Sequence, residues 1–540
     1  MTDFALPFKD LFPTELPPEY STLLPIEQNE YLLDGVIQNW SGPFEKIYSP
    51  VGLQTAEGFQ RVCLGHCPAM DEATALLALA SARKAWNNGR GEWPTLSVEK
   101  RIQQVERFID GMKACRQQMV SLLMLEIGKS QSDAAKEFDR TVEYMVDTVQ
   151  ALKELDRQSS RFTIEQGIIA QSRRSPLGIT LCMGPFNYPL NETFTTLIPA
   201  LIMGNPVIFK PPRFGVLLYH ALLPLFRDCF PAGVINTLYG SGKQVVGPLM
   251  DSGEIDVLAF IGSSRVANTL KKQHPAPHRL RCILGLGAKN PAIILPDADL
   301  DLVIPEAVTG ALSFNGQRCT ALKIFFVHQQ IADQFLDRFS KAIADLSFGM
   351  PWEKGVALTP LPETGKPEYF ETMVQEALEQ GAQVINPNGG QWHETFYYPA
   401  LVYPVKAGMK LWSEEQFGPV IPVVPFTDIE EPIDYIVRSE FGQQLSLFGQ
   451  NPDLLAQLVD PLVNQVCRIN INSQCQRGPD IYPFGGRKGS AEGTLSVSDA
   501  LRCFSIRTLV AAKQNAANQV ILTDIVRNRR SSFLSSDYIF

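Results

Sequence analysis

The residue best suited to covalent chemistry is Cys319, set directly behind Arg318 in ALSFNGQRCTALK, residues 311 to 323. A thiol attacks as its thiolate, and neighbouring cations and backbone N–H groups lower its pKa, so Arg318 is expected to favour the thiolate electrostatically. Taken alone, a lone cysteine is more often a small buried hydrophobe. Three further stretches carry groups of matching use. The apolar run ITLCMG breaks into PFNYPLNETF, where Asn187 offers a side-chain N–H to a developing oxyanion, or simply turns the chain into a helix. FKPPR sets Lys210 and Arg213 around two prolines. That is either a strand stop with two solvated cations or a ribose and phosphate site, in which a cation selects a 2′-phosphate and Arg213 points to NADP. FIGSSRVA sets Gly262, Ser263 and Ser264 between an apolar run and a helical stretch, a nest suited to pyrophosphate, although glycine-serine turns are common.

Such residues need a large scaffold, and the chain supplies one: 540 residues, 45% hydrophobic and 19% charged, enough for two to four domains. A net charge of -9 and a pI near 5.4 argue against nucleic acid or an anionic membrane as partner. Ten cysteines are scattered without a CxxC pair, the usage of reduced cytoplasmic thiols. Cys63, His66 and Cys67 lack a second pair of ligands, so no metal is expected. The opening MTDFALPFKDLFP has no signal-peptide character and no apolar run reaches membrane-span length, so the expected location is cytoplasmic.

The elements follow from periodicity. Residues 1–45 read as a proline-rich extension ending in a hairpin around Asp34-Gly35. From about 70 to 158 apolar residues recur at threes and fours in three stretches, which predicts three amphipathic helices, the second covering SVEKRIQQVERFIDGMKACRQQMVSLLMLEIGK. Between 178 and 290 short apolar runs alternate with helical stretches, as they do again from NPAIILPD to QVCRININ, which predicts two α/β units with parallel sheets. Residues 160–175 and 496–513 read as strands outside both, and 514–540 shows no clear period.

Taken in order, FNYP, FKPP, IGSS, GQRC, EEQFGPV and PFGGRKGS resemble the signatures of the aldehyde dehydrogenase superfamily from about residue 45 to 512. The resemblance implies an α/β fold with a doubly wound parallel-sheet cofactor domain (46–158 and 176–290), an α/β catalytic domain (291–495) and a small β extension for oligomerisation (159–175 and 496–513) as a homodimer or homotetramer. It implies that Cys319 attacks an aldehyde and passes through a thioester, and that Asn187 and the Cys319 N–H form the oxyanion hole. Lys210 would bind the adenosine ribose, Ser263 the pyrophosphate and Glu415 the nicotinamide ribose; many NAD-using members carry an acid where Arg213 stands, which agrees with NADP.

Tyr188, Arg318 and Arg477, the last in NSQCQRGPDIYPF, would give a doubly charged anion a phenol and two forked donors, or the arginines are structural ion-pair partners. The pattern resembles the non-phosphorylating, NADP-dependent glyceraldehyde-3-phosphate branch of the family, whose substrate is a phosphorylated aldehyde. Arg140 and Arg157 are expected to add charge to the pocket. One departure stands out. Where the family opens an ELGGK motif with a general-base glutamate, this chain reads GLGAK, with Gly285 at the matching position. Hydrolysis through another group, acyl transfer to CoA, and a catalytically degenerate member are the three consequences open to it.

Overall fold

The structure, a computed structural model, describes residues 8, 10–536 and 538; part of the amino-terminal stretch read above lies outside them. Two sheets organise the chain. The first orders its strands as Ile235–Thr237, Val207–Lys210, Thr180–Met183, Val257–Ile261 and Arg281–Gly285, all parallel, with Ala491–Glu492 added antiparallel at one edge. The chain enters at Thr180–Met183, winds outward to one side, then returns to continue on the other. The strand order therefore reverses beside Thr180–Met183, and at such a point ligands bind beyond the carboxyl ends of the strands. Four of these parallel strands are almost wholly buried, as sheets covered on both faces require.

The second sheet orders Gln383–Val384, Ala400–Tyr403, Val420–Phe426, Leu322–His328, Asn290–Ile294, Gln444–Phe448 and Arg468–Ile471, parallel except at the first pair. The period of two sorts its side chains between two cores: Ala292, Ile294, Phe325, Val327 and Val423 join one, Ile293, Ile324, Phe326, Val424 and Leu447 the other. Only residues 286–289 separate the last long strand of the first sheet from Asn290–Ile294 of the second. That short link sets the carboxyl edge of one sheet against the amino edge of the other, and the loop carrying Cys319 opens Leu322–His328 on that amino edge.

Strands Thr163–Glu165, Ile168–Pro176 and Ser505–Lys513 form a third sheet, the last two paired over nine residues and leaving Ile506 and Leu509 exposed. The hairpin forms as expected, Leu33 pairing with Val36 across Asp34 and Gly35, both at positive φ.

Three expectations change. The second predicted helix is two, Val98–Ala114 and Arg116–Ile127, broken at Cys115. Every residue from Met119 to Ile127 is buried, so this half has no solvent face to align with that of the first. Residues 497–503 form a helix rather than strand, begun at Ser496, whose hydroxyl donates to Asp499. The tail contains the helix Ala516–Arg527, capped by the Asn515 side chain, after which Ser536 donates to Asp156 and Arg173 donates to the Ser535 carbonyl. No helix among the described residues is long and apolar enough to cross a membrane.

Candidate active site

Cys319 follows three left-handed residues, Phe314, Asn315 and Gly316 (φ 48°, 52° and 70°). Non-glycine residues hold such angles only where their surroundings over-determine them. Asn315 supplies that: its amide nitrogen donates to the Thr359 carbonyl and hydroxyl at 3.0 and 3.1 Å, and its oxygen accepts from the Thr359 N–H at 3.1 Å. Gly316 has no room for a side chain, because a Cβ there would lie 2.7 Å from the carbonyl oxygens of Ala311 and Gly418. Beyond the cysteine, Asn290 ties the loop to the second sheet by donating to the carbonyls of Cys319 and Ala321.

Asn187 approaches from the first sheet, beyond Thr180–Met183, and donates to the Gln317 carbonyl at 2.8 Å. Its turn is held by Glu137, one oxygen of which accepts the N–H groups of Leu190 and Asn191 while the other pairs with the fully buried Lys129. The Lys129 ammonium lies 3.3 Å from the centre of the Tyr188 ring. Burial keeps the Tyr188 phenol well above its ordinary range, so it stands protonated as a donor, with Arg318 acting on it from nearby.

The thiol itself corrects the electrostatic expectation. Cys319 keeps partial exposure, yet burial first and the Glu192 carboxylate second push its pKa up to about 11. The cations opposing this are Lys323 and Arg477, not Arg318. Adjacency in sequence did not aim the side chain: Arg318 Nη2 donates to the carbonyls of Thr309 and Gly310 at 2.9 Å, closing the end of the helix Leu300–Leu312. Its Nε is buried without a partner. Lys323 bonds the Cys319 carbonyl at 3.1 Å and pairs with Glu415 at 2.6 Å.

Arg477 is buried. It pairs with Glu192 and, at 3.1 Å, with Asp480, and donates to the Leu495 carbonyl. Both expected readings meet here: Arg477 is an ion-pair partner and it lies close enough to Cys319 to act on its charge, with two of its five N–H groups left over. Arg140 grips the same Asp480 through two bonds of 2.9 Å, whereas Arg157 stands at the surface paired with Glu154.

The residues expected at the cofactor lie along the carboxyl edge of the first sheet. Lys210 ends its strand half-buried, donating among the described residues to the Pro211 carbonyl at 3.1 Å, and burial lowers its pKa. Arg213 projects 77% exposed, 4.0 Å from Glu45. Gly262 donates to the Gly285 carbonyl at 2.9 Å and leads into Ser263, which caps the ten-residue helix Ser264–Gln273. A half-buried lysine with no ion pair among the described residues, an exposed arginine and an open helix N-terminus together suit a dinucleotide with an added phosphate. Glu415 closes the far side, its free oxygen 2.7 Å from where a Cβ on Gly287 would stand.

Residues 52–510 match the aldehyde dehydrogenase family. The chain belongs to that family. It is thus an oxidoreductase acting on aldehydes, and the other likenesses are of one kind. An NADP-dependent glyceraldehyde-3-phosphate dehydrogenase from Streptococcus equinus is 33% identical over 473 residues, 87% of this chain and 94% of that one. The crystal structure of an NADP-dependent glyceraldehyde-3-phosphate dehydrogenase from Bacillus halodurans, complexed with NADP, superposes with a TM-score of 0.81 at 27% identity, covering 90% of this chain and all of that one. A malonate-semialdehyde dehydrogenase from Lacticaseibacillus casei is 26% identical over 476 residues, 87% of this chain and 93% of its own.

Sequence reasoning passed over Glu192, Lys323, Lys129 and Glu137. Two of them carried a signal: Glu192 is the one acid in the run PLNETFTTLIPAL, and Lys323 opens the otherwise apolar strand LKIFFVH. A charge inside such a run needs a partner or a task.

Proposed function

We propose that this aldehyde dehydrogenase uses NADP to oxidise glyceraldehyde 3-phosphate to 3-phosphoglycerate, without inorganic phosphate, through a thioester on Cys319. The observation that carries the substrate is the set of unspent donors around the Cys319 loop: the buried Arg318 Nε, whose guanidinium acts on Tyr188 rather than on the thiol, two N–H groups of Arg477 and the protonated Tyr188 phenol. A phosphate dianion is the ligand such a set suits, and it is the substrate class in the names of the Streptococcus and Bacillus relatives.

Sγ of Cys319 adds to the aldehyde carbon and the carbonyl oxygen becomes an oxyanion, stabilised by the Asn187 amide and the Cys319 N–H. NADP, when bound, accepts the hydride from that carbon. Lys210, Arg213, Ser263 and the N–H groups behind Gly262 hold its ribose and phosphates, and Glu415 its nicotinamide ribose. Water then releases the acid. The enzyme works as a cytoplasmic homo-oligomer, a reading supported by ten free cysteines and by the exposed apolar side chains on Ser505–Lys513.

The test follows NADPH from milliseconds to minutes after mixing with glyceraldehyde 3-phosphate, without phosphate or CoA. Sustained turnover is expected, and Arg318→Leu should raise KM for the phosphorylated aldehyde far more than for its unphosphorylated analogue; equal losses on both would remove the phosphate role. Gly285 favours one second reading, acyl transfer to CoA, because a thiol needs less help than water to attack a thioester. Turnover that requires CoA would establish it. A degenerate, silent member is disfavoured by intact Cys319, Asn187, Lys210 and Glu415.

A further inference from the structure

Hydrolysis of the thioester needs a proton acceptor, and Gly285 offers no side chain. The buried and half-buried carboxylates around the nucleophile can be sorted by what each oxygen already does. Glu137 is spent on Lys129 and on two backbone N–H groups. Asp480 has both oxygens engaged by Arg140 and one also by Arg477. Glu306 accepts the Gln474 N–H at 2.7 Å. Glu415 pairs with Lys323, and its free oxygen stands against Gly287 on the side assigned to the nicotinamide ribose, not beside Asn187.

Glu192 differs. Its Oε2 pairs with Arg477, while Oε1 accepts no hydrogen bond among the described residues and is not sealed from solvent, the side chain being 9% exposed. It stands in the first turn of the helix Asn191–Ile202, five residues past Asn187, so the turn that carries the oxyanion donor also carries this carboxylate. Of the acids around the pocket it is the one that acts on the Cys319 thiol. The charged and titratable groups facing it are Arg477, Lys129, Tyr144 and Cys319.

We propose that Glu192 is the proton acceptor for thioester hydrolysis, taking the role that Gly285 cannot fill. Water oxygen bonds to the acyl carbon as one water proton passes to Glu192 Oε1. The tetrahedral intermediate then collapses, the C–S bond breaks with its electron pair on sulfur, and the proton held by Glu192 moves to Sγ. The products are the carboxylic acid, which ionises to solvent, and the free thiol. Arg477 fixes the carboxylate by holding Oε2 and leaves Oε1 to the water. This rests on the hydrolytic reading above.

The experiment compares the unsubstituted enzyme, Glu192→Gln and Glu192→Gln with Gly285→Glu, each in burst and steady-state NADPH formation from glyceraldehyde 3-phosphate. Glutamine keeps the shape and an acceptor for Arg477, and a Cβ at residue 285 meets only Ile261, at 3.3 Å. Glu192→Gln is expected to keep a burst of one NADPH per subunit, accumulate acylated Cys319 by mass spectrometry, and lose roughly 100-fold or more in steady turnover, the usual contribution of a general base. Added CoA or hydroxylamine should discharge the trapped acyl group, the acid limb of the kcat profile should vanish, and the added Gly285→Glu should restore part of the steady rate. Steady turnover within about threefold of the unsubstituted enzyme overturns the proposal. So does a loss confined to the burst and to KM for the phosphorylated aldehyde, which would make Glu192 only a holder of Arg477. If the unsubstituted enzyme gives a burst but turns over only with CoA, the hydrolytic reading falls first, and this inference with it.

Discussion

Alkylation of Cys319 in the free enzyme isolates the thiol from every later step. Burial pushes its pKa from 9.0 up to about 11. Each unit is a tenfold change in thiolate, so near pH 7 about one molecule in ten thousand carries the thiolate, against about one in a hundred for an unperturbed thiol. The second-order rate with iodoacetamide should then rise tenfold per pH unit from 7 to 10 without levelling, and lie about 100-fold below that of a model thiol at pH 7. Lys323→Met removes one of the two cations that oppose this shift. Two charges 8 Å apart at an effective dielectric of 20 interact by about 2 kcal/mol. Glu415, paired with Lys323 at 2.6 Å, cancels part of that. About 1 kcal/mol remains, a further fivefold slowing at fixed pH. The assay quantifies the labelled Cys319 peptide by mass spectrometry, which separates it from the exposed Cys63 and Cys467. A plateau below pH 9, or faster labelling in Lys323→Met, would refute the burial argument and return the nucleophile to a thiolate poised before substrate arrives.

Two further outcomes follow from the same geometry. Arg213→Glu should shift the ratio of kcat/KM for NADP over NAD by about 10- to 100-fold toward NAD, the worth of one lost charge-assisted bond, and an unchanged ratio would remove Arg213 from the cofactor site. Asn315→Ala removes three bonds that hold the left-handed turn before Cys319; it should cost about 2–3 kcal/mol, read as a lower thermal midpoint, and weaken the NADPH burst, whereas a full burst would show that the turn holds itself.

Much of this was legible in order and period. The strands PVIFK, ITLCMG, VLAFIGS and RCILGLG form one parallel sheet because short buried runs between helices have few other solutions. Where the reading failed, tertiary contacts decided. Cys115 interrupts an apparently continuous helical stretch because its second half is buried on all sides. VSDALRC has too few residues to reveal its period, and burial of Val497, Ala500 and Leu501 on one face settled it as helix. Arg318 shows the same limit at a side chain: the sequence could set it beside Cys319, but only the open carbonyls at the end of Leu300–Leu312 decide where its guanidinium goes.

Charge balance explains why a site built for an anion also buries carboxylates. The ion pairs of the pocket set Lys129, Arg140 and Arg477 against Glu137, Asp480 and Glu192, three cations against three acids. Lys129 and Arg477, buried without partners, would each carry a large desolvation cost, so the acids are what allow them to be held in place before substrate binds. In the proposed function, recognition of a phosphate comes from the few N–H groups the acids leave unused, fixed in direction, rather than from a broad positive field. The same arrangement frees Glu192 Oε1. Arg477 needs only one of that carboxylate's oxygens and leaves the other without a partner among the described residues, so neutralising an arginine and accepting a proton from water are compatible tasks for one side chain.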